Sequence, residues 1–582
     1  MVIMHGYVEN ELVADREHLV DSSHRSQAAA LDFVLDMVHH NPGEPLFDSK
    51  FCDPRWLGEF GYNGQVLKHF NALVRFDAIA PGIFPATSEE ETWLREFTAA
   101  REREMRMAKE AGLMLFGHID LVILPKRIVE AMGEEIRDPQ TGKISFAREA
   151  TRDLHRAVFD ELFGRFPEID GFVVRVGETY LFDTPHHIGN AACGYRPGKP
   201  TDEEKKAFVD LLNFLREEVC EKHNKRVIYR TWDTWRDRFH SNPEYYLDVT
   251  GQVAPHENLL FAIKHSQADF HRWMPFNPSL GIGEHRQIVE VQCQREYEGK
   301  GAFPCYIARC VIEGFPEMSQ PMGLRDVIAS PLIVGLWTWS RGGGWFGPYL
   351  KSEFWPELNA AVLQAFAAEP SRTEEELFHD AATRHFALSE DDAELLRRMA
   401  LASETAVLKG KCCAAWDRKK PATDNPCNSW FRDDRLGGEG KLDVVLERLA
   451  GEGGLEEALT EKAEAVREWR YIRKLAASFS EGMPAELRKD LVASAEYGLR
   501  LFTWIEAAWK AAALRWMPGI REEERKQIFE EYDMARHHYN ALPEDEPASA
   551  SLFRDVYWSW PGEPEKPGLG ALVEDVRRDV MY

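Results

Sequence analysis

Three acidic residues of this chain each stand just past a short apolar run. Glu178 follows Gly171–Val176, Asp269 follows Leu259–Lys264, and Glu296 follows Ile288–Cys293. Runs of this length, rich in Val, Ile, Leu and Phe, read as buried strands of a parallel sheet. In a closed β/α barrel the C-terminal strand ends hold the active site. Three carboxylates at equivalent places suit paired acid/base chemistry. The same strand ends carry cations: Arg175, Arg230 and Lys264. A buried cation needs a partner. Either each pairs with a nearby carboxylate and holds the rim together, or the set forms an anion pocket. Arg grips a carboxylate through two parallel hydrogen bonds and Lys adds a point charge, so acids beside such cations suit a sugar acid as substrate.

The elements that must position these residues alternate between strand and helix. Apolar runs lie at Gly64–Phe70, Leu113–Ile119, Phe172–Val176, Val227–Thr231, Leu259–Lys264, Ile288–Cys293 and Ile333–Trp339. Amphipathic stretches separate them. In Lys206–Lys222, Phe208, Leu211, Leu212, Leu215 and Val219 recur on one helical face. The fold expected is α/β, a (β/α)8 TIM barrel followed by a mostly α-helical C-terminal domain. The runs supply seven strands, and the eighth has no clear counterpart. The domains expected are a helical N-terminal extension over 1–45, the barrel over 46–355 and a helical domain over 356–582. The extension takes its helix from the composition of Ala28–Val38, which stops before Pro42 and Gly43. In the tail, Phe502, Ile505 and Trp509 share a helical face and read as core.

Composition narrows the function. The 582 residues hold 71 Lys and Arg against 97 Asp and Glu, a formal charge of −26. That opposes wrapping nucleic acid or docking on an anionic membrane, since both are polyanions. The N-terminus has neither the basic nor the apolar segment of a signal peptide, and no apolar run is long enough to span a bilayer. Nine scattered cysteines without a disulfide framework fit reduced thiols in a cytoplasm. The glycine clusters near 437 and 451 do not follow strands, as a phosphate loop would, and read as turns.

Taken together in order and spacing, these segments resemble the α-glucuronidases of glycoside hydrolase family 67, from about Gly61 to Pro356. Gly61–Ala72 is similar to the family's first-strand segment, G-x-N-G-x-V-L-x-x-x-N-A. Gly171–Glu178 resembles the strand that carries the general acid, which implies that role for Glu178. Ala262–Phe270 resembles I-K-x-x-x-x-D-F, and Val291–Tyr297 resembles Q-I-T-Q-E-Y. These matches imply that Asp269 and Glu296 together activate water, and that Arg175, Arg230 and Lys264 contact the uronate. The chain departs from the family in three ways. It has only about 45 residues where a β-rich domain usually precedes the barrel. Arg175 stands at a position usually held by Lys. The loops after Glu178 and around Leu336–Gly347 differ from the usual sequence.

The resemblance implies exo-acting, inverting hydrolysis of a terminal α-linked glucuronic or 4-O-methylglucuronic acid from xylan-derived or related oligosaccharides, with no metal or organic cofactor. Trp232, Tyr297 and Trp339 are candidates for sugar platforms or for rim packing. His265, beside Lys264, is a candidate contact or an ordinary loop histidine. His186 and His187 lack a third ligand at a recognisable spacing and read as pocket-lining or surface loop. The helical tail suits either a cover over one side of the barrel or a homodimer surface. Two alternatives stand beside the main reading: hydrolysis of a different acidic or neutral sugar, or a non-catalytic carbohydrate-binding relative.

Overall fold

The computed structural model describes residues 29–38, 49–176, 184–190, 199–232, 238–342, 347–417, 431–432, 435–437, 441–543, 549–557 and 564–581. Eight parallel strands close into a barrel: β1 (Phe33–Val38), β2 (Gly64–Leu67), β3 (Met114–Asp120), β4 (Gly171–Arg175), β5 (Arg226–Arg230), β6 (Leu259–Lys264), β7 (Arg286–Gln292) and β8 (Ile333–Arg341). Neighbours in chain order pair in register, and β1 closes the ring by pairing with both β8 and β2.

The strand β1 corrects the reading of the N-terminal segment. Helical composition over Ala28–Val38 predicted a helix outside the barrel; Phe33–Val38 is instead the missing eighth strand, so the barrel begins before residue 46. Helix propensity is a weak prior that tertiary packing overrides. Here Phe33, Leu35 and Met37 join the barrel interior while Val34 packs against the surrounding shell. Burial on both faces is the environment of a parallel strand.

Period-two alternation fills the barrel. Phe116, Val173, Ile228, Leu260, Ile288 and Trp337 point inward and form one apolar cluster, while Leu115, Val174, Tyr229, Phe261 and Val289 join the larger core outside. Extending the inward series toward the strand ends places His118 and Asp120 on β3, Arg175 on β4, Arg230 on β5, Lys264 on β6, Glu290 and Gln292 on β7, and Trp339 on β8. The polar site is therefore the top of the barrel's own interior column.

The tail is helical, as its sequence predicts. Long helices over Glu390–Lys411, Leu455–Ala476, Ala485–Ala513 and Glu522–Asn540 pack side by side. Phe502, Ile505 and Trp509 are fully buried core, and Phe502 stacks on Trp469 with ring centroids 5.0 Å apart. Gly498 lets the third of these helices approach the second: a Cβ there would lie 2.3 Å from the Trp469 ring. The helix Phe354–Ala368 joins tail to barrel by packing on β8. Among the described residues no helix is long and apolar enough to cross a membrane.

Candidate active site

At the mouth of the barrel, each predicted cation meets a carboxylate. On β4, Arg175 forks onto Asp120, its register partner on β3; Nη2 lies 2.6 Å from Oδ2, and Nε donates to Oδ1. On β5, Arg230 crosses β6 to reach Glu290 on β7, with Nε and Nη2 each 2.9 Å from the carboxylate. The residue paired with Arg230 on the intervening strand is Ala262, and its small side chain leaves room for the crossing. Trp337 and Trp339 cover the same guanidinium, with ring centroids 5.3 and 4.8 Å from Cζ. Lys264 Nζ lies 2.5 Å from Asp269 Oδ1, and sits 4.3 Å from the Trp232 ring centroid and 4.6 Å from that of Phe270.

Asp269 is held from both sides. Its second oxygen accepts a 2.6 Å hydrogen bond from the Tyr297 hydroxyl. Burial by itself would raise its pKa. The Lys264 charge, nearby His271 and the hydrogen bonds from Lys264 and Tyr297 outweigh that and hold it well below the usual carboxylate range. Asp269 is thus an anion across the ordinary pH range. Tyr297 in turn stacks on His271 at 3.6 Å, and its chain neighbour is Glu296, which is buried and whose backbone N–H donates to Gln292 Oε1 at 2.9 Å. The turn that carries Glu296 starts from Arg295 at φ +58° and leaves through Gly299 at φ +92°. A left-handed non-glycine residue is costly and persists only where the surroundings impose it.

Asp269, Lys264, Tyr297 and Trp232 therefore meet on one side of the mouth, with Glu296 next to Tyr297 in the chain and Arg175, Arg230 and Trp339 at the other strand ends. Glu178 lies outside the described residues, three positions past the end of β4. His265 is buried between Phe270 and Phe315, with centroids at 5.5 and 6.1 Å; burial and the charges of Arg295 and Lys264 keep it neutral. His187 lies in a short strand paired with Ile123–Pro125, its Nδ1 2.9 Å from Pro185 O. Both His186 and His187 lean on Trp93. Among the described residues no group of His, Cys, Asp and Glu is arranged to hold a metal ion.

Three residues of this ring escaped the sequence reading: His118, Asp120 and Glu290. Their signal was polarity inside strand runs at the period of the inward face. His118 is buried with both ring nitrogens lacking a hydrogen-bond partner among the described residues. Burial and the charges of Arg175 and Arg230 keep it neutral, so it offers one donor and one acceptor. Arg230 Nη1, Trp232 Nε1 and Trp337 Nε1 also lack a hydrogen-bond partner among the described residues. The ring can thus supply an anionic base, aromatic faces and donors without a partner among the described residues.

No protein-family model matches the chain, and neither does any curated protein. Solved structures do. A GH138 enzyme targeting the pectin rhamnogalacturonan II superposes with a TM-score of 0.53 at 13% identity, over 94% of this chain and 67% of that one. A family GH115 4-O-methyl-α-glucuronidase with specificity for decorated arabinogalactans gives 0.45 at 12%, over 92% and 63%. The D120N mutant of the Thermobaculum terrenum O-GlcNAc hydrolase gives 0.40 at 8%, over 95% and 94%. The chain shares its fold with the GH138 enzyme: a closed eight-stranded parallel barrel followed by a helical region.

Proposed function

We propose that this protein is an exo-acting glycoside hydrolase that removes a terminal α-linked glucuronic or 4-O-methylglucuronic acid from xylan-derived or related oligosaccharides, with inversion. The observation that carries the reading is the clamping of Asp269 between Lys264 and Tyr297, the residue after Glu296, at the barrel mouth. In this mechanism Asp269 and Glu296 orient and deprotonate a water below the sugar ring, and Glu178 protonates the departing oxygen. An inverting pair needs room for that water, which corresponds to acid and base carboxyls roughly 6.5–9.5 Å apart. The open donors on Arg230, His118, Trp232 and Trp337 support an oxygen-rich, acidic ligand, and Trp339 supports an apolar sugar face over the Arg230 side.

A second reading, a different acidic sugar on the same barrel, is favoured by one specific feature. Arg175 and Arg230 already fork onto Asp120 and Glu290, so less of each guanidinium remains for a substrate carboxylate than a dedicated uronate clamp would offer. The pectin target of the GH138 neighbour gives such a sugar a natural source.

The deciding experiment is an NMR assay on aldouronic acids, pectin oligosaccharides and aryl α-uronides, with wild type and Glu178→Ala. The main reading expects release of β-glucuronate from the aldouronic acids. It also expects partial rescue of Glu178→Ala on aryl uronides with good leaving groups. Cleavage of pectin fragments alone selects the second reading, and turnover of neutral glycosides alone overturns both.

A further inference from the structure

We infer that the chain holds a small monovalent anion between the barrel and the helical tail, bound by Arg272, Arg295 and Lys411. The three side chains come from different parts of the chain: the loop after β6, the turn that presents Glu296, and the last turn of the helix Glu390–Lys411. All three are buried, each no more than 2% exposed. Their charges act together on one carboxylate, Glu298, and on the neighbouring Cys305 thiol.

The charges there do not balance. Glu298 takes one hydrogen bond from Arg295 Nε at 2.7 Å, and its other oxygen is 3.7 Å from Arg272 Nε, too far for a hydrogen bond. Arg272 instead forks onto Glu317 at 2.6 and 3.1 Å. Beyond these, Arg309 pairs with Glu404 and Arg397 with Glu374, one for one. Three cations therefore share Glu298 and Glu317. Both Nη atoms of Arg295, Nη1 of Arg272 and Nζ of Lys411 lack a hydrogen-bond partner among the described residues.

A buried charge without a partner is expensive, and a buried unsatisfied donor adds to the cost. Four of the open atoms are donor nitrogens against one open acceptor, Glu298 Oε1, and the site carries surplus positive charge, so the missing ligand is an anion. The surplus is a single charge, which one monovalent ion of the halide class neutralises and a dianion would overshoot. All three side chains are buried, unlike the open mouth where a sugar would bind. Because Arg295 directly precedes Glu296, a bound ion would also brace the strained turn that presents that carboxylate. The inference does not rest on the proposed substrate.

The test uses the full chain. Melting temperature is measured at constant ionic strength while bulky gluconate is replaced stepwise by bromide, and bromide-soaked crystals are examined for anomalous scattering. The expected result is a saturable rise of roughly 3 °C, with a bromide peak in contact with Arg295 and Lys411. Lys411→Met should lose both signals and melt in gluconate no lower than wild type. A melting temperature that ignores bromide, or scattering only at the surface (an adventitious ion only), overturns the inference. Should Lys411→Met fail to fold, the wild-type titration and scattering decide alone.

Discussion

At the scale of single residues, the environment of each carboxylate separates its role from that of its chemical twins. Asp269 is kept ionised by Lys264 and Tyr297, as a base requires. Glu296→Gln and Asp269→Asn should each lower kcat by about 10²–10⁴ while leaving the melting temperature within a few degrees of wild type; near-normal turnover in either would remove that residue from the mechanism. Lys264→Met deletes the cation that depresses Asp269, so the Asp269 pKa should rise. The acidic limb of kcat/KM should then move to higher pH, and Tyr297→Phe should move it the same way by less.

Asp36 shows the opposite environment. It points away from the barrel interior and is fully buried, bonded to the Thr338 and Ser340 hydroxyls at 2.5 and 2.7 Å. Burial pushes its pKa up to about 7, against the lowering effect of those bonds. A carboxyl raised in the folded state contributes stability below its unfolded pKa of about 4 and loses it as pH rises to about 7. A shift of this size corresponds to roughly 4 kcal/mol as an upper figure. Asp36→Asn, which cannot ionise, should therefore gain melting temperature over wild type between pH 4 and pH 7 and keep the gain at pH 8.5. A pH-independent difference would show that Asp36 is already charged in the fold.

Among the elements, the alternation along each strand explains what was readable and what was not. The seven apolar runs were legible because parallel strands buried on both faces are nearly continuous in hydrophobicity. β1 was not, because Ala28–Val38 carries helix formers and an Asp36 whose partners lie about 300 residues away on β8. The cations at strand ends were legible, but their partners were not. Register pairs Arg175 with Asp120, and the small Ala262 lets Arg230 reach across β6 to Glu290. Ala262→Leu should block that crossing. Overfilling of this kind costs about 1–3 kcal/mol, and separating the buried pair adds to it, so the urea midpoint should fall well below that of an outward-facing control such as Val289→Ile.

On the scale of the whole molecule, the helical tail supports the mouth of the barrel. Asn359, in the helix that joins the two, accepts hydrogen bonds from the backbone N–H groups of Ile307 and Ala308 at 2.9 and 3.2 Å. Its amide donates to the Cys293 and Cys305 carbonyls at 3.2 and 2.9 Å. These four groups bracket the segment that contains Glu296. Asn359→Ala leaves buried backbone groups unpaired and should cost about 3 kcal/mol, read from the urea midpoint. It should also lower kcat more than KM rises, because the turn loses its fixed ends. Loss of stability with unchanged kcat would confine Asn359 to a structural role.

The sequence by itself determined the barrel's strands apart from β1, the helical tail, and the identity of the acids and bases at the strand ends. Those follow from local periodicity and residue type, which the chain carries without needing its neighbours. Only the tertiary structure decided the pairings: which carboxylate each cation meets, that Asp269 is clamped from two sides, that β1 closes the ring, and that Arg272, Arg295 and Lys411 share too little negative charge. Such partners are set by register and by long-range packing, where residues tens to hundreds of positions apart come within hydrogen-bond reach, and no local pattern encodes that distance.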